Sequence, residues 1–184
     1  TNWNEVVETC TNTSFHQKNL CYQKHMAQHN LQDFDIRWIK DVQNCILIRD
    51  PKYVIASYEK KIPVVDERHL GYIQQAEIIE FLEKEGGITP PIIDADDILK
   101  NPESMMKKLC NVLDIVFYKS MLRWPPGARE SDGVWGSYWY EGVYDSTGFK
   151  PYTKKEVNLD LNLTDVHEKC KKHYDSLYNK RIKL

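Results

Sequence analysis

The sequence predicts an α/β fold with a mainly parallel sheet and helices on both faces, and three observations carry that expectation. Two short continuous apolar runs, Asn44–Ile48 (NCILI) and Pro91–Ala95 (PIIDA), have the length and composition of strands buried on both faces. Each run is followed at once by a helical pattern, so strands alternate with helices instead of clustering. A third run, Leu20–Gln23 (LCYQ), reads as one more short strand. Three strands are fewer than a doubly wound sheet usually holds.

Taken in order, residues 1–19 are polar and yield no assignment. Leu31–Asp41 carries Leu31, Phe34, Ile36, Trp38 and Ile39 in a loose helical pattern. After the NCILI run, Asp50 supplies a helix N-cap and Pro51 the first helical position, which places a helix from Pro51 to about Lys61. Leu70, Ile73, Ala76, Ile78, Ile79 and Phe81 support a long helix from Asp66 to about Glu85, stopped by Gly86 and Gly87. Residues 96–114 read as a short helical turn, a break at Pro102, and a helix with Met105, Met106, Leu109, Val112 and Leu113 on one side. Trp124–Pro151 is rich in Gly, Pro and Trp and predicts a long irregular segment. Residues 154–163 read as a surface connection, and Asp165–Ile182 as a C-terminal helix whose lysines and histidines form a solvated face.

Bulk properties narrow the function classes. The chain has 184 residues, 41% of them hydrophobic and 28% charged, enough for one domain with a sizeable core. A formal net charge of −2 argues against broad nucleic-acid or membrane-surface binding. No apolar stretch approaches the roughly 20 residues of a membrane helix, and the start, TNWNEVVETC, lacks the features of a signal peptide. It also lacks an initiator Met, so a fragment or processed product is expected. Five widely spaced cysteines, Cys10, Cys21, Cys45, Cys110 and Cys170, predict reduced thiols in a cytoplasmic protein, two or three of them in the core. The triplets at Asn12 and Asn162 match the glycosylation pattern but carry little weight without a secretion signal.

The most informative stretch is Cys45–Tyr58 (CILIRDPKYVIASY), where Arg49 ends a buried strand and Ser57 follows eight residues later. Ligands of open parallel sheets bind beyond the strands' carboxyl ends, where the next helix also presents its first N–H groups. A guanidinium there offers a fork of donors suited to phosphate. Tyr53, Ser57 and Lys60 or Lys61 share one helix face by spacing, so a long arginine leaning along it reaches the serine. The alternative stays open: Arg49 as a strand-end charge, Ser57 as a small packed helix residue.

Ile46–Ser57 (ILIRDPKYVIAS) resembles the 3′-phosphate-binding segment of the sulfotransferase family, in which a strand ends in Arg and a Ser follows eight residues on. Tyr22–His29 (YQKHMAQH) is similar to the family's strand-end stretch with its catalytic His. Pro91–Ile115 resembles the later strand and helix pair, and Arg123–Phe149 (RWPPGARESDGVWGSYWYEGVYDSTGF) the C-terminal Gly- and Trp-containing segment. Order and spacing agree from about Leu20 to Tyr152. The resemblance implies a P-loop NTPase-like three-layer fold and use of 3′-phosphoadenosine-5′-phosphosulfate as co-substrate, with no metal. By it, Arg49 and Ser57 hold the donor's 3′-phosphate and His25 is the general base toward an acceptor hydroxyl or amine. Lys24 offsets charge on the transferred group, and Arg129, in the loop before Gly133 and Trp135, closes over the same phosphate.

One departure accompanies the resemblance. The family's 5′-phosphosulfate loop is a Gly/Ser/Thr-rich turn upstream of the histidine stretch, and residues 1–24 contain no glycine. The expectation is therefore a single sulfotransferase-like domain over residues 1–184 without its N-terminal strand, loop and helix, inactive by itself but an enzyme at full length. A catalytically silent nucleotide-binding or interaction module of the same fold is the alternative. Metal binding by Cys10, His16, Cys21, His25 and His29 matches no paired spacing. Trp124, Trp135 and Trp139 read as pins for the loop in preference to an acceptor-binding wall. The expected partner is a small-molecule acceptor that the sequence does not identify, without nucleic acid or membrane; the oligomeric state is not specified.

Overall fold

The computed structural model describes residues 2–12, 20–30, 32–64, 66–130, 132–134 and 136–184. In these the chain is a mixed, mainly helical structure with a small parallel two-stranded sheet. Helix α1 (Trp3–Asn12) opens the chain. Its start is a reciprocal cap: the Glu5 N–H donates to Asn2 Oδ1 at 2.9 Å, and the Asn2 N–H donates to Glu5 Oε2 at 3.2 Å. Two 3-10 turns, Ala27–His29 and Arg37–Asp41, lead to strand β1 (Ile46–Ile48) and helix α2 (Pro51–Tyr58). A third, Arg68–Leu70, leads to helix α3 (Tyr72–Gly86) and strand β2 (Ile92–Asp94). Helices α4 (Ala95–Lys100), α5 (Pro102–Val112), α6 (Gly136–Trp139), α7 (Glu141–Tyr144) and α8 (Thr164–Lys180) complete the order.

The chain divides into two compact units, residues 1–92 with 156–181, and 93–155 with 182–184. In the first, the Ile46 N–H donates to the Pro91 carbonyl at 2.9 Å. Its core gathers Ile48 of β1, Ile55 of α2, Tyr72 and Ile79 of α3, and Val166, Cys170, Tyr174 and Leu177 of α8. The α8 residues recur at helical spacing on one stripe, the reason this otherwise polar segment folds as a docked helix. Each fully buried aliphatic side chain contributes about 1.5–3 kcal/mol.

In the second unit, Asp94 caps α4 by accepting from the N–H groups of Asp96 (3.0 Å) and Asp97 (3.2 Å). Pro102 starts α5, which buries Met105 and Cys110. The irregular segment is held by Trp124: its Nε1–H donates to Ser146 Oγ at 2.9 Å and its ring meets Phe149 edge-on at 5.5 Å. An isolated antiparallel bridge joins Arg123 to Gly148.

Four sequence expectations change. Leu20–Gln23 is not a strand but irregular chain, because Leu20 and Tyr22 are 58% and 86% exposed and have no layer to pack on. The NCILI run is not buried on both faces: Ile48 is 1% exposed but Leu47, on the opposite face, is 55% exposed, because no layer of the described residues covers that face. The expected Asp66–Glu85 helix is broken at Gly71, which takes φ +79° between the 3-10 turn and α3. Residues 154–163 are not wholly a surface connection, because Leu159 packs on the core and Leu163 is 5% exposed. Leu31, His16 and Trp135, named above, lie outside the described residues.

Gly71 holds its place for a second reason. A Cβ there would lie 3.0 Å from the Gln28 backbone nitrogen and 3.3 Å from Ala27 Cβ, so the Ala27–His29 turn rests directly on this glycine. Gly71→Ala is expected to destabilise the protein by roughly 1–3 kcal/mol through left-handed strain and this close approach. A denaturant-unfolding midpoint equal to wild type would contradict it.

Candidate functional site

The site is built where β1 ends and α2 begins, within the first unit. Asp50 caps α2, its Oδ1 accepting from the Lys52 N–H at 3.0 Å. Pro51 has no N–H to offer. The Tyr53 and Val54 N–H groups donate back to the Asp50 carbonyl at 3.1 and 3.4 Å. The expectation that α2 points free N–H groups at the crevice is therefore corrected: the cap and the tight first turn use them. An anion at this corner is left to side chains.

The side chain at this corner is Arg49. The residue is half-buried, and its Nε is fully buried without a hydrogen-bond partner among the described residues. Its guanidinium lies 5.7 Å from the Tyr53 ring centroid, which aims it along α2. No carboxylate of the described residues pairs with it. Buried guanidinium nitrogens are ordinarily paired, so the unpaired Nε stands out among the described residues. Ser57 is exposed one turn beyond Tyr53 on the same helix row, about 6 Å further along the axis. Lys60 and Lys61 follow the end of α2 and do not extend its face as helical residues.

Two residues that sequence reasoning missed shape this part of the chain, and one of them, Tyr72, bonds to Arg49. The Tyr72 hydroxyl donates to the Arg49 carbonyl at 2.7 Å, and Gly71 just before it bears the Ala27–His29 turn. A glycine inside an otherwise helical pattern was the available signal. Nothing in the spacing marks Tyr72, whose hydrogen bond crosses 23 sequence positions.

His25 lies in the irregular stretch just before that turn. Its ring packs against Trp38, centroids 5.5 Å apart and tilted by 55°. This cover holds its pKa below the ordinary 6.5 by disfavouring the charged imidazolium. The ring is thus neutral near pH 7, the state a proton acceptor needs. Its Nε2 stands 3.0 Å from Gln23 Oε1. Lys24 is exposed beside it, and His29 ends the 3-10 turn, also exposed.

Arg129 belongs to the second unit, exposed in its irregular segment, where its backbone N–H donates to Asp132 Oδ2 at 2.9 Å. Trp124 is the pin expected of it, whereas Trp139 is 37% exposed and meets Tyr138 edge-on. All five cysteines are free; Cys110 and Cys170 are buried. Among the described residues no group of three or more His, Cys, Asp or Glu side chains is arranged to hold a metal ion. No helix among them is long and apolar enough to cross a membrane.

The strand-end Arg49, with Ser57 on the helix that follows it, lies in a mixed, mainly helical structure with a small parallel sheet, which is compatible with an α/β fold. The chain belongs to the sulfotransferase family, whose domain model, described as "Sulfotransferase domain", matches residues 1–174. Two curated relatives come from Arabidopsis thaliana. Branched-chain-amino-acid aminotransferase-like protein 2 is 35% identical over 155 residues, 84% of this chain and 27% of the relative. Branched-chain-amino-acid aminotransferase-like protein 1 is 34% identical over 157 residues, 85% of this chain and 28% of the relative. The chain thus spans about a quarter of the length of these curated relatives. No solved structure gives a significant match.

Proposed function

We propose that this domain binds 3′-phosphoadenosine-5′-phosphosulfate in a P-loop NTPase-like fold and serves sulfuryl transfer to an acceptor hydroxyl or amine. The observation that carries the reading is the buried, unpartnered Nε of Arg49 at the end of β1. Arg49 and Ser57 grip the 3′-phosphate. In the transfer, the acceptor oxygen or nitrogen bonds to sulfur as the bond from sulfur to the bridging phosphate oxygen breaks. His25 takes the acceptor's proton, and 3′-phosphoadenosine-5′-phosphate leaves. A positioned base contributes about 10²–10⁴-fold, and Lys24 offsets charge on the sulfuryl group. The co-substrate supplies the reacting group, a metal has no part in this scheme, and the setting is cytoplasmic.

Binding, not turnover, is the direct test, because residues 1–24 hold no glycine from which a phosphosulfate loop could be built. The second reading is a nucleotide-binding module of the same fold without catalysis. Calorimetric titration should show 3′-phosphoadenosine-5′-phosphate binding more tightly than ATP. Tighter binding of ATP overturns the donor assignment, while tight binding without sulfuryl transfer to any acceptor supports the silent module. Tyr72→Phe, which frees the Arg49 carbonyl, is expected to cost about 1 kcal/mol of stability. It should weaken that binding several-fold in the same titration, and unchanged affinity would show that Tyr72 does not orient Arg49.

A further inference from the structure

The geometry points to Gln23 as the positioning residue of His25: its amide, oriented by the Cys10 carbonyl, holds the imidazole as the Nε2–H tautomer and leaves Nδ1 as the proton acceptor. This inference rests on His25 being the base proposed above, but the tautomer itself follows from geometry alone.

Cys10 sits in the last turn of α1, where backbone carbonyls have no intrahelical partner. Gln23 Nε2 donates to that carbonyl at 2.8 Å and also faces the Cys21 sulfur at 3.7 Å. A carbonyl can only accept, so the nitrogen end of the amide must be the end facing Cys10. The opposite flip would set two acceptor oxygens 2.8 Å apart. The oxygen end is then fixed toward His25, 3.0 Å from Nε2. An amide oxygen accepts only, so Nε2 must carry a hydrogen, and in the neutral ring that leaves the lone pair on Nδ1.

The anchor is itself held. The Trp3 Nε1–H of α1 donates to the Asp35 carbonyl at 2.9 Å, and the Trp3 ring stacks on Phe34 with centroids 4.5 Å apart. Trp38, four positions after Phe34, covers the His25 ring. One short segment thus supports both the helix that orients Gln23 and the ring that Gln23 orients. In sequence the spacing is Gln23-Lys24-His25, with no motif to announce it.

The test is nuclear magnetic resonance of the whole chain with isotope-labelled histidine at neutral pH, comparing wild type with the near-isosteric Gln23→Met. In wild type the proton of the His25 ring should be observed on Nε2, with slowed exchange against solvent. In Gln23→Met the Nε2 proton should lose that protection, its exchange accelerating at least several-fold. A proton on Nδ1 in wild type, or equal protection in the variant, overturns the assignment. The wild-type spectrum decides the tautomer even if Gln23→Met does not fold. If the tautomer is as stated while 3′-phosphoadenosine-5′-phosphate fails to bind, the donor assignment falls and the role of Gln23 in setting the ring's state stands.

Discussion

Arg49→Ala is expected to reduce affinity for 3′-phosphoadenosine-5′-phosphate by at least roughly 100-fold. Hydrogen bonds to charged groups are worth about 1.5–3 kcal/mol each, and a guanidinium makes two in parallel to one phosphate. The effect should be larger here than at an exposed arginine. The Arg49 Nε is already out of water with no partner, so the folded chain bears the desolvation before ligand arrives and recovers part of it on binding. For the same reason the variant is expected to fold at least as stably as wild type, which separates lost binding from lost structure. Arg49→Lys should not restore affinity: an ammonium offers no Nε donor at that buried position and no planar fork. Calorimetry with both variants, alongside unfolding curves, measures each part. Affinity within a few-fold of wild type in Arg49→Ala would remove Arg49 from the site and the proposed donor with it.

The α2 corner also shows where sequence and structure part. Asp50, Pro51 and the stop at Gly87 act through local backbone chemistry, so the sequence places them correctly. The capping box Asn2-x-x-Glu5 was equally local and legible, yet the polar character of residues 1–19 hid a helix whose apolar anchor is the single Trp3. That Asp50 and the first turn consume the N–H groups expected to face an anion was local too and followed from the N-cap itself. What could not be read is that Leu47 stays exposed, because burial of a strand face depends on the layer packed on it, not on the strand's own residues. Of the candidate residues, Arg49 and Ser57 were found by spacing along one strand and one helix. Tyr72 and Gln23, which hydrogen-bond to Arg49 and His25, left no periodic trace.

The second large effect concerns stability in alkali and lies away from the site, at Cys170 on α8. Its side chain is fully buried in the core, and burial, with smaller contributions from Glu67 and Asp66, pushes the thiol up to about 12 from an ordinary 9.0. The raised pKa fixes the sign. Below about pH 9 the thiol is protonated in both folded and unfolded chains, and the full stability is present. Between about pH 9 and 12 the unfolded chain releases this proton and the folded chain keeps it, so unfolding is progressively favoured as pH rises. At about 1.4 kcal/mol per pKa unit the loss approaches several kcal/mol at the upper end, a large share of a typical domain's 5–15 kcal/mol. Cys170→Ala removes the titrating group and leaves a small cavity. It should therefore start less stable at pH 7, by about 1 kcal/mol, and lose less on going to pH 11, so the two curves converge or cross. Cys45 is exposed and present in both proteins, so whatever it adds to the alkaline slope is common to the two curves. Denaturant unfolding of the two proteins at pH 7, 9, 10 and 11 reads the difference directly. Parallel curves would mean that the Cys170 thiol ionises as easily folded as unfolded, and that the α8 stripe is wetter than its packing against Ile48, Ile55 and Ile79 allows.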